Sequence, residues 1–243
     1  MQEQTNDRQE YQEDMDSQVQ SPAGHAVPVE AGAMELPGTL TIPSSARGIV
    51  VLTQGLNDVE DTWRQHAAAQ IPRYSEQNLA TLLVSLFTEQ ERRLDSATGY
   101  FRHNIDIMQQ RLIGIADWLL EMPETQNYTI GIFGAGTIGT AALIAAAERP
   151  DAIHALALAG SHITEAREVL SRVSCPVLFI AAEKDSTTVQ EHQQALALLA
   201  TDQRKKGSEQ IRGTSSLFES ENTINQMMRL AVEWFARWLA PIV

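Results

Sequence analysis

The segment Thr129-Ile130-Gly131-Ile132-Phe133-Gly134-Ala135-Gly136-Thr137-Ile138-Gly139 carries an apolar run through small residues into an alanine-rich stretch. Two chemistries use a strand, a tight turn and a helix in this order. In the first, Gly134, Gly136 and Gly139 match G-x-G-x-x-G, whose glycines let a pyrophosphate approach a helix N-terminus. That reading asks for an acidic residue about 20 residues on to hold a ribose, but the next strand ends in Ala159-Gly160-Ser161. It also asks for the first strand–helix–strand unit, and here several strands come earlier. In the second chemistry the bend projects a Ser or Cys into a cleft for covalent attack, in the pattern G-x-S-x-G. The apex of this bend is Gly136, which has no side chain, and the neighbouring hydroxyl of Thr137 points into the helix start.

Acyl transfer also needs a base to take the nucleophile's proton and an acid to hold the base. Ser161 and His162 follow the sixth strand at the ligand-binding edge, which makes His162 the best candidate base in the chain. Asp185 follows the seventh strand and also precedes a helix, so acid and helix cap are equally supported roles. His66, His103, His154 and His192 fall on helices or strand starts and read as surface or packing residues. Cys175 stands at the N-terminal end of a strand, away from the edge where such sheets bind ligands, and reads as a buried filler.

The elements that position these residues alternate. Val27–Leu36 and Gly38–Pro43 are expected as opening strands, and Gly48–Thr53 as a strand buried on both faces. Thr62–Gln77 is expected as a helix, Ala80–Phe87 as a strand, Thr88–Gly99 as a loop, and Phe101 to Leu120 as a long helix. Tyr128–Phe133 is the next strand and Thr137–Glu148 a helix with little polar face. Strands at Ala152–Ala159, Pro176–Ala182 and Glu209–Arg212 then alternate with helices at Thr164–Val173, Val189–Ala200 and Asn222–Leu239. This order predicts a mainly parallel sheet of about eight strands flanked by helices, without a lid domain.

From about Leu40 to Leu239 the chain resembles the dienelactone hydrolase-like branch of the α/β hydrolases. The resemblance is carried by IPSSARGIVVLTQG, ATLLVSLFTEQE, TGYFRHNIDIMQQRL, IGIFGAGT, AAAERPDAIHALALAG, CPVLFIAAEKD and GTSSLFE. It implies an α/β-hydrolase fold with an ester- or lactone-hydrolase site. It also implies that Gly136 stands where relatives keep the nucleophile, Asp185 where they keep the acid, and Ser216 where they keep the histidine. The H-G near the oxyanion hole is here Gln54-Gly55. The small residue two past the nucleophile is Ile138, expected to crowd the elbow. Backbone N–H groups of Leu56 and Thr137 would line the oxyanion hole. A chain lacking nucleophile and base is expected to be catalytically inactive and to bind a small-molecule ligand or a protein partner. The alternatives are a relocated hydrolase site around Asp185, His162 and Ser161, and dinucleotide binding at Gly134–Gly139.

Bulk properties narrow the partners. The net charge of −13 over 243 residues repels phosphates and argues against nucleic acid. No apolar run reaches the roughly 18 residues of a membrane span, and MQEQTNDRQEYQEDMD has no secretory signature. One cysteine excludes an intrachain disulfide and disfavours a cysteine metal site, so a cytoplasmic location is expected, with no metal and no cofactor. A homodimer is compatible with the sequence. Residues 1–20 carry six acidic side chains against Arg8, so residues 1–24 are expected as a disordered acidic tail, solubilising or docking, ahead of a hydrolase-like domain at 25–243.

Overall fold

The computed structural model describes residues 23–54 and 60–239, with side chains left out at 54 and 60–66. The expectations for residues 1–22, for Leu56 and for the His66 side chain therefore lie outside the described residues. Two short strands open the fold, β1 (His25–Ala31) and β2 (Met34–Thr41), paired antiparallel. The expected break between them at Pro37 is corrected. Gly32, at φ 64°, makes the turn, and Pro37 pairs with Pro28 within the ladder. Then follow β3 (Gly48–Gln54), α1 (Glu60–Glu76), β4 (Leu79–Ser85), α2 (Glu89–Thr98) and α3 (Ile105–Glu121). The second half is β5 (Thr129–Ala135), α4 (Thr137–Glu148), β6 (Ile153–Ala159), β7 (Val177–Ala182), α5 (Ser186–Leu198), β8 (Lys206–Ile211) and α6 (Glu221–Trp238).

The eight strands form one sheet in the order β1-β2-β4-β3-β5-β6-β7-β8. β3 to β8 are mutually parallel, and β2 runs antiparallel to β4. Strands buried on both faces explain the continuous apolar runs. Along β3, Ile49 and Val51 face one core while Val50 and Leu52 face the other. The first core packs under α3, α4 and α5, and the second under α1 and α6. The stripe Ile224, Met227, Ala231, Phe235 of α6 fills the second core, as the spacings of three and four require. The order turns around between β3 and β5, so their C-terminal ends mark a topological switch point, where such sheets bind ligands in a crevice.

Two local expectations change. Thr88–Gly99 is a helix, α2, flanked by its caps. Thr88 accepts from the Glu91 N–H at 3.3 Å while Glu91 Oε2 accepts from the Thr88 N–H at 2.9 Å, a reciprocal capping box. Gly99 ends it at φ 65°. Only Asp95 of this helix is buried, so there was no apolar periodicity to reveal it. The helix expected at Thr164–Val173 is instead a 3-10 segment, Arg167–Arg172. Phe101–His103 is likewise 3-10, and α3 begins after Asn104, whose side chain accepts from the Ile107 N–H at 3.1 Å.

Candidate functional site: the turn at Gly136

β5 ends at Ala135, and the chain turns through Gly136 at φ 53°, ψ −128° before α4 begins. Residues with a Cβ hold such angles at a cost of about 1–3 kcal/mol, which glycine escapes. The turn is fixed by the Gly136 N–H donating to the Ala159 carbonyl at 2.9 Å, and by the Gly136 carbonyl accepting from Gly139 at 3.0 Å. Thr137 and Ile138 open α4, so their N–H groups have no carbonyl one helical turn back. Apart from Gly136 and its two chain neighbours, no described residue comes within 4 Å of where a Gly136 Cβ would stand. The turn thus offers backbone donors and, among the described residues, open space, with no side chain to react. Ile138, expected to crowd this space, is instead 6% exposed and packed into the core under α3 and α4.

The flanking glycines serve packing. A Cβ on Gly139 would collide with Ser161 Oγ and come within 2.8 Å of Ser161 Cβ, and one on Gly134 would lie 3.0 Å from Gly139 Cα. Their bareness lets α4 lie directly on β5 and on the turn after β6. Gly139→Ala is expected to cost about 1–3 kcal/mol by overpacking. Ser161→Gly in the same chain should return most of that loss, read from urea denaturation midpoints. A neutral Gly139→Ala would contradict the packing account.

Asp185 follows β7 and caps α5, its Oδ1 accepting from the Thr188 N–H at 3.1 Å. Thr188, with His162 and His192 nearby, holds the Asp185 carboxyl below the ordinary carboxylate range. Ser216 lies on the adjacent loop and is exposed. The two loops are laced together: Lys184 N–H donates to Thr214 O at 3.1 Å and Gly213 N–H to Glu183 Oε2 at 2.7 Å. The Ser216 hydroxyl accepts from the Phe218 N–H at 3.3 Å. Glu219 ties the loop down, accepting from Thr214 Oγ1 at 2.6 Å and from Ser215 N at 3.0 Å. These bonds lower its carboxyl to about 2. Asp185, Ser216 and Gly136 therefore follow strands β7, β8 and β5 at one sheet edge, as a helix cap, a turn hydroxyl and a bare Cα.

His162 and Ser161 are separated by burial. Ser161 is 0% exposed and its hydroxyl bonds no described group. His162 is exposed, with Nδ1 3.3 Å from Glu191 Oε2. His192, expected at the surface or in packing, is fully buried against Phe179. Its spacing with Ala195 and Leu199 is that of an inward helix face. His154 Nδ1 accepts from the Ile130 N–H at 3.3 Å. Burial pushes the Cys175 thiol up to about 12, which makes it unreactive at neutral pH. Among the described residues no cluster of three or more His, Cys, Asp or Glu is placed to hold a metal, and no helix is long and apolar enough to cross a membrane.

This geometry can be set beside known proteins. No protein-family model matches the chain. Two curated relatives from strains of Mycobacterium tuberculosis, provisionally named phosphoribosyl transferases, are 32% identical over 209 residues. The match takes in 86% of this chain but 45% of theirs, so the chain spans under half the length of those relatives. A dienelactone hydrolase-like promiscuous phosphotriesterase from metagenomic libraries shares the fold, with a TM-score of 0.65 at 15% identity over 90% of this chain and 100% of its own. The crystal structure of dienelactone hydrolase from Anabaena variabilis superposes with a TM-score of 0.82 at 35% identity, covering 90% of this chain and 99% of that one. With that agreement in sequence, length and fold, the chain belongs to the dienelactone hydrolase-like family of α/β hydrolases.

Proposed function

We propose that this chain is a non-catalytic member of its family, acting by binding a small-molecule ligand or a protein partner at the crevice above Gly136. One observation carries the reading. The turn at Gly136 is a sharp strand-to-helix bend at positive φ, φ 53° and ψ −128°, of the kind that carries a nucleophile elsewhere, around a residue that has no side chain. Ser216 is not basic near neutral pH, and its hydroxyl serves the backbone of Phe218. Loss of triad members in a serine protease lowers turnover about a millionfold. What remains is a cleft with N–H donors at the start of α4, suited to a carbonyl or other acceptor oxygen. A cytoplasmic setting belongs to the same proposal. Phosphoribosyl transfer is named only for the longer relatives, so phosphoribosyl compounds enter as members of the ligand panel.

The test is a panel of activated short esters and lactones against the wild-type chain, with crevice ligands sought by calorimetry. Hydrolysis at the buffer rate is expected throughout. Turnover abolished by His162→Ala in a folded protein would favour the relocated site instead. Saturable binding of NAD(H) or NADP(H) would favour the dinucleotide reading.

A further inference from the structure

The turn after β6, Gly160–Ile163, ties the elbow helix to α5. On the α4 side, Thr140 Oγ1 donates to the His162 carbonyl at 2.6 Å and Ser161 lies against Gly139. On the α5 side, the Ile163 N–H donates to Glu191 Oε2 at 3.1 Å and His192 Nε2 lies 2.9 Å from the Ser161 carbonyl. A carbonyl oxygen only accepts, so Nε2 carries the ring proton and Nδ1 is a bare acceptor. His192 is 0% exposed, its ring centroid lies 4.7 Å from that of Phe179 in β7, and Nδ1 bonds no group among the described residues.

The charged and titratable groups acting on this ring are Glu191 on α5, Asp185 at its N-cap and His162 on the turn. Burial is the largest influence and holds the imidazole below its ordinary range. The Ser161 carbonyl and the two carboxylates pull the other way, and His162 adds to the effect of burial. Protonation would place a charge and a second N–H inside the core, where Nδ1 has no partner.

We propose that His192 is a pH-sensitive latch: neutral, it fastens α5 to the turn beneath the elbow, and charged, it lets them part. The charged ring reaches water and the Asp185 carboxylate only by leaving Phe179, and its bond to the Ser161 carbonyl goes with it. That release acts on both sides of the crevice, since α4 rests on Ser161 and Asp185 caps α5. Because the ring titrates lower when folded than when unfolded, its contribution is full above the ordinary value of 6.5. It is lost as pH falls below that value. The latch does not depend on what the crevice binds.

Amide hydrogen exchange tests this on the full chain and on His192→Gln and His162→Gln, between about pH 7.5 and about pH 5. Glutamine keeps a donor for the Ser161 carbonyl but does not titrate. After correction for intrinsic exchange, wild-type protection at Ser161–Ile163 and in the first turn of α5 should fall at least about 10-fold more than in His192→Gln. Equal falls in the two, or none in wild type, would overturn the latch. A fall lost in His162→Gln but kept in His192→Gln would assign the switch to the surface pair with Glu191 and also overturn it. Should His192→Gln not fold, ring titration of wild type by NMR decides: a midpoint clearly below 6.5 supports the latch, and one at or above it refutes it.

Discussion

Gly136→Ser combined with Ser216→His is expected to convert the chain into a measurable esterase, at least about 100-fold above wild type, the lower end of what a positioned base contributes. Among the described residues, none but the neighbours of Gly136 in the chain comes within 4 Å of the added Cβ. Backbone strain is modest: a serine at φ 53° should cost about 1–3 kcal/mol of stability. The loops after β7 and β8 are already bonded to each other, which brings the introduced imidazole to the Asp185 side of the crevice. Recovery should stay partial, since Asp185 caps α5 and the loop from Gln54 carries no H-G. Each single change alone should give little, as a relay acts as a unit, and adding Asp185→Asn should remove most of the gain. Initial rates on a short activated ester check each variant. A double variant as slow as wild type would mean that the crevice no longer holds catalytic geometry.

Arg111→Met should destabilise the fold by about 3–5 kcal/mol. Arg111 and Glu91 have side chains only 8% and 13% exposed and are joined through both terminal guanidinium nitrogens. Arg111 also donates to the Leu86 carbonyl and lies 5.1 Å above the Phe87 ring. Burial alone would push the Glu91 carboxyl up, but the bonds from Arg111 and Thr88 outweigh it and hold it below the ordinary carboxylate range. Removing only the arginine strands that carboxylate and the carbonyl. Changing Glu91→Gln as well should recover part of the loss, because no charge then stays buried alone. The exposed pair Arg93–Glu89 is the control, worth under about 1 kcal/mol. Urea unfolding would contradict this account if Arg111→Met cost no more than that control.

The sheet was readable in advance because β3 to β7 are buried on both faces, which writes continuous apolar runs such as GIVVLT and VLFIAA. The edges were less so. β8 starts at Lys206, earlier than its apolar residues suggest, since an edge strand has polar positions. Lys206 Nζ is itself occupied with the Leu196 and Leu199 carbonyls at the end of α5. In α2 the cap residues Thr88, Glu91 and Gly99 were the only signal, and the polar face between them hid the helix. At the site, the bare turn at Gly136 could be read from residue types alone, whereas residue types left Asp185 equally a helix cap or an acid. The burial of Ser161 could not, because it depends on how closely α4 settles on the turn after β6, which Gly134 and Gly139 permit, and that of His192 is written only in its spacing with Ala195 and Leu199.

The most direct test of the silent elbow is intact-protein mass spectrometry after exposure of the wild-type chain to excess fluorophosphonate. The Gly136→Ser/Ser216→His variant, treated alongside, serves as the positive control. The account predicts an unmodified wild-type mass beside a single phosphonyl adduct on the variant. An adduct on wild-type protein, mapped to any residue lining the crevice above Gly136, would contradict it.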